Sequence, residues 1–217
     1  MVAKAIAGKL AALGHRVLIG TRDPKATLAR AEKDMAGGPP IGEWLKTQTK
    51  VSLATHDEAT AHGTIAFNAL SGQGAMDVLK SVESNLEGKI LIDISNPLDF
   101  SKGFPPSLTI CNTDSLGETI QRALPKTKVV KTLNTVNAFL MVDANALAGA
   151  DHTMFVCGND AGAKEEVGRL LKDGFGWKDV IDLGDITNAR ATEMILPMWT
   201  RLMGALKTPM FNVKVVR

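Results

Sequence analysis

The pair Thr21 and Arg22 is the first place where residue type and position indicate a definite chemistry. It follows a short apolar run, RVLIG, that is typical of a strand. A hydroxyl beside a guanidinium binds a phosphate monoester through charge-assisted hydrogen bonds, whereas a carboxylate repels one. In dinucleotide-binding βαβ units, the residue at this position contacts the 2′ group of the adenosine ribose. The pair therefore favours NADP over NAD. Two alternatives stay open. One is that Thr21 and Arg22 lie on an ordinary surface turn. The other is that Asp23, which we assign to capping the next helix, binds the ribose instead.

Other side chains that could do chemistry are few. The chain has no tyrosine, no evident catalytic triad, and neither a CxxC nor a zinc-like spacing. Cys111 and Cys157 lie in hydrophobic contexts and are predicted to be buried free thiols, which favours a cytoplasmic protein. Surface or turn positions are expected for all four histidines: His15, His56, His62 and His152. We therefore assign no catalytic side chain and no metal ligand.

A polar group surrounds the start of the last long helix, at Asp182, Asn188, Arg190 and Glu193. In one interpretation Asn188 caps the helix and Arg190 pairs with Glu193 one turn later. In the other, the group lines the acceptor end of a cleft. The sequence leaves both open.

Short β-branched runs alternate along the chain with longer amphipathic stretches. This pattern predicts the strands and helices that position the residues named above. Strands are predicted at 16–20, 50–54, 64–70, 90–94, 129–133, 153–158, 179–182 and 211–216. Helices are predicted at 3–13, 23–35, 41–46, 56–61, 71–86, 115–124, 161–174 and 188–206. Strands separated by helices form βαβ units. The predicted fold class is therefore α/β, a Rossmann-type, doubly wound, mainly parallel sheet with a small C-terminal α/β lobe. The expected domains are 1–135 for NADP binding and 136–217 for the C-terminal lobe.

The strand and G-x-G turn that normally precede the first helix of such a unit do not occur in this sequence. Met1-Val2-Ala3 resembles only the end of that turn. We therefore expect a sheet that lacks its first strand. A form extended by about ten residues is expected to bind NADPH better, because backbone N–H groups at that turn hold the phosphates.

Several stretches together resemble the deazaflavin-dependent NADP oxidoreductases, the NADPH-dependent F420 reductases, and the reductase domain of six-transmembrane metalloreductases. They are GKLAALGHRVLIGTRDP, IDISNPLDF, KVVKTLNTVNA, FVCGND and DLGDITNAR. The likeness covers essentially all 217 residues. It implies hydride transfer between NADP(H) and a deazaflavin or flavin acceptor, and it is compatible with a non-catalytic NADP-binding regulatory module.

The resemblance also implies cofactor-binding roles for individual residues. They are Thr21 and Arg22 at the 2′-phosphate, Asn68, Ala69 and Leu70 along the pyrophosphate and nicotinamide ribose, and Asn96 and Pro97 near the nicotinamide. Asn134 stands where the archaeal enzymes tend to carry His beside the second redox ring. This departure leaves an ordinary flavin, or another small redox acceptor, open beside F420.

Composition limits the partners. The formal net charge is +2, with basic and acidic residues interspersed, so neither nucleic acid nor a membrane surface is expected as a partner. The helix predicted at 188–206 is apolar on more than one side, and Pro197 should kink it. Such a helix is either part of the core or an interface. Because the resembling family is dimeric, a homodimer is expected.

Overall fold

The computed structural model describes residues 1–34 and 36–217, which divide into two compact units, Met1–Thr64 and Ile65–Arg217. Within the second unit, strands from both sides of the predicted domain boundary at residue 135 belong to one sheet. The division into 1–135 and 136–217 stays a prediction.

The first unit contains one pair of parallel strands with short helices. Its elements are α1 (Val2–Ala12), β1 (Val17–Thr21), α2 (Pro24–Leu28), α3 (Ile41–Lys46), β2 (Val51–Thr55) and α4 (His56–His62). β1 and β2 pair in parallel, with Val17 opposite Val51 and Thr21 opposite Thr55. Helix α1 ends just before Gly14, whose φ of 102° lies in the left-handed region that glycine adopts without strain. The second strand and its flanking helices therefore lie where the periodicity predicts them.

Helix α2 is much shorter than predicted, because it ends at Leu28 rather than near residue 35. Further along, the Asp34 carboxylate accepts hydrogen bonds from the backbone N–H groups of Ala36 and Gly38 and pairs with Lys4. Such side-chain bonds to the backbone compete with helical hydrogen bonding, and short acidic side chains favour turns for that reason. Met35, where the predicted helix ended, lies outside the described residues.

The second unit is built on a five-stranded sheet in the order β3-β4-β7-β8-β9. Its strands are β3 (Ile65–Asn68), β4 (Ile90–Asp93), β7 (Lys128–Thr132), β8 (Thr153–Gly158) and β9 (Asp179–Asp182). Every neighbouring pair is parallel except β7 with β8. A small antiparallel hairpin of β5 (Leu98–Asp99) and β6 (Ser107–Leu108) forms in the loop after β4. The predicted class, mainly parallel α/β with a small C-terminal α/β region, is confirmed.

Helices cover this sheet and bury the inner strand β4. They are α5 (Gly72–Ser81), α6 (Glu83–Leu86), α7 (Leu116–Ala123), α8 (Ala138–Val142), α9 (Ala161–Arg169), α10 (Ala189–Met194) and α11 (Leu196–Leu206). All four residues of β4 are buried, as expected for a strand with a parallel neighbour on each side. Ser115 caps α7 by accepting from the Glu118 N–H, at the start of the helix predicted for 115–124.

The C-terminal part differs from the prediction in two places. The single helix expected at 188–206 is two helices, α10 and α11, that meet at Ile195, because Pro197 lacks the N–H that would continue the first. The strand expected at 211–216 does not form. That segment runs beside β8 and accepts one backbone hydrogen bond, from Thr153 N–H to the Val213 carbonyl. Within the described residues, none of the helices has both the length and the apolar character needed to cross a membrane.

Candidate functional site

Thr21 and Arg22 lie at the carboxyl end of β1. Thr21 is the last residue of the strand, and its Oγ1 lies 2.7 Å from Oγ1 of the buried Thr27. Arg22 is exposed, and no carboxylate among the described residues pairs with its guanidinium. Asp23 caps α2 by accepting from the Ala26 N–H at 2.9 Å, so its assignment to capping is confirmed. The end of β1 therefore exposes the Arg22 guanidinium, which forms no ion pair with a carboxylate of the described residues.

His56, which the sequence placed on a surface turn, packs against this strand end. A Cβ at Gly20 would lie 3.0 Å from His56 Nδ1 and 3.3 Å from its Cα, so a larger residue there would push α4 away from the strand by a few tenths of an ångström. Burial lowers the pKa of His56, and the nearby Arg22 cation lowers it further. The imidazole is therefore neutral near pH 7, and Arg22 is the fixed charge at this tip.

In the second unit, three polar residues form one row across the neighbouring strands β3, β4 and β7. Asn68 is paired in register with Asp93, and Asp93 is paired with Lys131. Asn68 and Asp93 are the last residues of their strands, so the row lies at the carboxyl edge of the sheet. Ligands of open α/β sheets bind outside this edge.

Lys131, at the β7 end of the row, is completely buried. Its Nζ donates to Asp93 Oδ2 at 2.8 Å and to the Ser95 carbonyl at 2.6 Å, and it lies 2.8 Å from Glu193 Oε1. Burial alone would lower the pKa of Lys131, but the Asp93 and Glu193 carboxylates raise it above its ordinary value. The lysine is therefore a permanent buried cation.

Asp93 and Asn68 order the loops that follow β3 and β4. Asp93 Oδ1 accepts from Asn68 Nδ2 at 2.8 Å, from Ser95 Oγ at 2.6 Å and from Ser95 N–H at 3.1 Å. Asn68 Oδ1 in turn accepts from the Leu70 N–H at 3.3 Å. The Asn68 side chain is thus engaged within the protein, while the backbone of Ala69 and Leu70 forms the turn after β3.

Asn96 and Asn134 form a reciprocal amide pair between the loops after β4 and β7. Asn96 Nδ2 donates to the Asn134 carbonyl at 2.9 Å, and Asn134 Nδ2 donates to Asn96 Oδ1 at 3.0 Å. Leu133, just before Asn134, has a φ of 61°, a left-handed conformation that costs a leucine about 1 kcal/mol or more. Such strain persists only where the surroundings hold it in place, and it often marks a functional loop.

The polar group at the start of α10 has different partners from those the sequence suggested. Asn188 makes no capping hydrogen bond, and Arg190 pairs with Glu118 rather than with Glu193. Glu193 instead accepts from the Leu116 and Gly117 N–H groups at 2.8 and 3.0 Å. The capping and i,i+3 interpretation is therefore wrong, because tertiary partners replaced the local ones.

Two further predictions about single residues are wrong. Cys111 is exposed, although Cys157 is buried as expected. His152 is buried: Asn212 Nδ2 lies 2.9 Å from its Nδ1, and its Nε2 lies 3.0 Å from the Ala144 carbonyl. Its ring also stands edge-on to Trp177, so this histidine is part of the core.

Sequence reasoning identified Asn68, Asn96 and Asn134 but missed the charges beneath them. Asp93 and Lys131 were assigned only to strands, and Glu193 was placed in the polar group at the start of the last long helix without these partners. The available signal was a charged residue inside or at the end of two otherwise apolar strands, ILID and KVVKT. Buried charges are rare unless paired, so each such residue predicts an ionic partner.

A mainly parallel α/β sheet with polar residues at its carboxyl edge is typical of the α/β proteins that bind nucleotide cofactors outside that edge. Comparison with known proteins narrows this class. The family model described as "NADP oxidoreductase coenzyme F420-dependent" matches residues 1–97. A solved structure from Arthrobacter sp. FB24, provisionally described as an F420-dependent NADP reductase, is 56% identical with a TM-score of 0.94. That alignment covers 100% of this chain and 95% of the other.

More distant relatives agree. The F420-dependent NADP reductase of Methanothermobacter marburgensis is 29% identical, covering 91% of this chain and 85% of that protein. Metalloreductase STEAP3 of Rattus norvegicus is 26% identical, covering 91% of this chain and 36% of the rat protein. This chain belongs to the F420-dependent NADP oxidoreductase family, and it is an oxidoreductase.

Proposed function

We propose that this protein binds NADP(H) in preference to NAD(H) and transfers hydride between it and a deazaflavin or flavin. The observation that carries the cofactor choice is the tip of β1, where Arg22 is exposed and Asp23 is occupied in capping α2. A guanidinium without a competing acid favours a phosphate on the ribose. Thr21 Oγ1, already in contact with Thr27, would add a second hydrogen bond to that phosphate.

The nicotinamide end is proposed for the carboxyl edge of the sheet in the second unit. Asn96, Pro97 and Asn134 would surround the ring, and the turn formed by Ala69 and Leu70 after Asn68 would follow the ribose and pyrophosphate. Support comes from the buried network that holds these loops in one conformation.

Hydride transfer is the chemistry that the bound nicotinamide supplies. It needs two rings held at the right distance and shielded from water, with little acid–base assistance. The loops here suit that task, because Asn96 and Asn134 are held by each other and by the backbone. Neither Asn96 nor Asn134 needs to transfer a proton in this reaction.

The acceptor proposed first is F420, by membership of the family, with an ordinary flavin as the alternative. The choice between F420 and a flavin depends on Asn134. This residue is only 3% exposed, and its side-chain amide donates a hydrogen bond to Asn96. A neutral amide in place of an imidazole removes a group that titrates near neutral pH. The pH profile of kcat with either acceptor should therefore contain no ionisation that belongs to residue 134.

The test is NADPH oxidation by the purified chain, followed as loss of nicotinamide absorbance, with F420 and FMN offered in parallel. Turnover with either acceptor, and weaker turnover with NADH, is expected. Tight NADPH binding without turnover of any flavin or deazaflavin would support a regulatory module instead. A preference for NADH would contradict the assigned role of Arg22.

We propose further that the protein is a cytoplasmic homodimer. The two free cysteines support the compartment. The dimer is supported by α11, whose Met198 and Leu206 side chains are 51% and 53% exposed. Large apolar side chains grouped on one exposed helix are typical of an interface.

A further inference from the structure

We propose that Lys131 is a positioning residue for hydride transfer: it fixes the Ser95–Asn96 backbone, and through it the Asn96 amide, at the nicotinamide. This inference rests on the proposed function, because it takes Asn96 as a group beside the ring. It adds a residue that touches neither cofactor nor acceptor, since its side chain is completely buried.

The geometry of the Lys131 ammonium group supports this positioning role. A lysine ammonium has three N–H donors and no acceptor. Here they face three oxygens from three segments: the Asp93 carboxylate at the end of β4, the Ser95 carbonyl in the following loop, and the Glu193 carboxylate on α10. All three distances lie between 2.6 and 2.8 Å. The ammonium therefore joins the loop to a sheet strand and to a helix at once.

Strand β7 and its following loop hold the Ser95–Asn96 segment at two consecutive residues. Lys131 binds the Ser95 carbonyl, and Asn134, three residues further along the same chain, binds the Asn96 side chain. A segment attached at one residue could pivot, whereas attachments at two consecutive residues define both its position and its orientation. The backbone oxygen of Asn96 is also closely approached, since a Cβ at Gly72 would lie 2.0 Å from it.

The three buried charges are not explained by a contribution to stability. A buried ion pair seldom stabilises a fold more than well-packed apolar side chains of the same volume would. Asp93, Lys131 and Glu193 are each at most 1% exposed, so desolvating them is costly. A stability role alone does not account for charges at the carboxyl edge of the sheet, whereas precise placement of a loop does.

The experiment is a double-variant cycle on kcat and KM with NADPH, using Lys131→Met, Asn96→Ala and the double variant. Lys131→Met should lower kcat about 10- to 100-fold, the usual effect of a small misplacement at a reacting centre. KM for NADPH, and the Kd for NADPH measured by fluorescence titration without an acceptor, should each change less than threefold, because the 2′-phosphate contacts proposed for Arg22 are untouched. In the Asn96→Ala background, Lys131→Met should cost less than threefold in kcat.

Lys128→Met is the matched control. Lys128 lies on the same strand, is half-exposed and pairs with Asp160 at 3.4 Å, away from this cluster. Its kcat and KM should equal those of the wild type. If circular dichroism shows that Lys131→Met is unfolded, the cycle is run with Lys131→Met combined with Glu193→Gln, which removes one of the two carboxylates left unpaired.

Two results would overturn the inference: kcat unchanged by loss of Lys131, or an equal loss of kcat with and without Asn96. Both presuppose a wild-type enzyme that turns over. A wild type without turnover would contradict the proposed function instead, so the two failures are distinguishable.

Discussion

Two lysines on β7 illustrate how far the surroundings of a residue can depart from its sequence neighbourhood. Lys128 and Lys131 flank the same pair of valines, yet the first is half-exposed and the second completely buried. Lys128 has a single acidic partner, at 3.4 Å, whereas Lys131 has two at 2.8 Å and a carbonyl. An exposed pair is worth little, whereas breaking a buried one leaves an uncompensated charge that costs several kcal/mol.

At the same scale, the Arg22 assignment gives a direct prediction. Arg22→Ala should weaken NADPH binding about 10- to 100-fold, the loss of a charge-assisted hydrogen-bond pair, and should leave NADH binding nearly unchanged. Fluorescence titration with both nucleotides measures this. The control is Lys25→Ala, an exposed cation on the adjoining helix. An equal loss of affinity for NADPH and NADH would show that Arg22 does not read the phosphate.

Cys157 gives a prediction about pH. Burial raises the pKa of its thiol to about 12, against about 8.5 in an unfolded chain. Below about pH 8.5 the thiol is protonated in both states, so its contribution to stability is complete. As the pH rises towards 12, only the unfolded chain ionises, and that contribution is lost. Wild-type thermal stability should therefore fall more steeply than that of Cys157→Ala between about pH 9 and 11.

Thermal unfolding followed by circular dichroism across that pH range makes the comparison. Cys111→Ala is the matched control, because solvent already reaches that thiol in the folded chain. Parallel curves for wild type and Cys157→Ala would contradict the pKa assignment.

At the scale of elements, helix ends decide much of the arrangement. Helix α2 is capped by Asp23 but extends only to Leu28, and α10 and α11 separate at Ile195 because of Pro197. Helix α7 is held at its start both by Ser115 and by Glu193 of α10. A helix terminus is thus the point at which distant segments attach, because its first N–H groups have no partner within the helix.

The packing of α7 on α10 is tested by Gly117→Ala. The added Cβ would lie 2.9 Å from the Ala189 Cβ, so the two helices must separate. The free energy of unfolding should fall by about 1–3 kcal/mol. Gly168→Ala is the control: a Cβ there meets nothing within 4 Å, and alanine favours a helix by up to about 1 kcal/mol. Urea unfolding measures both, and equal stabilities of the two variants would disprove the close packing.

At the scale of the whole molecule, the C-terminal segment partly covers the last helix. Trp199 of α11 stacks on Phe211, with ring centroids 5.2 Å apart, while Met198 and Leu206 stay exposed. The same segment is anchored at β8, where Asn212 donates to the Thr153 carbonyl. The tail therefore shields one side of α11 and leaves apolar side chains on another.

The proposed homodimer predicts that these exposed side chains are buried in solution. Size-exclusion chromatography with light scattering should give twice the chain mass for the wild type. Met198→Lys should shift it towards the monomer, because a charge would be buried without a partner. Val216→Lys, at an apolar residue that is 87% exposed near the chain end, is the control and should stay dimeric. A monomeric wild type would disprove the dimer.

Much of the fold could be predicted because its signals are local. Seven predicted strands agree with the structure to within two residues at each end, since apolar runs and their flanking turns depend on neighbours in sequence. The expected strand at 211–216 does not form, because β8 already pairs with β7 and β9, and the backbone hydrogen bond that it donates to this segment comes from Thr153 at its start.

The sequence by itself determined the α/β class, the order of its elements and the Thr21–Arg22 tip, because helix and strand periodicity and the residue after a strand are short-range properties. Only the tertiary structure decided that Asp93, Lys131 and Glu193 meet beneath the Asn96 loop. The physical reason is that a charge in an apolar run requires a partner but does not specify one. Which partner it finds is decided by strand register and helix packing across distant parts of the chain.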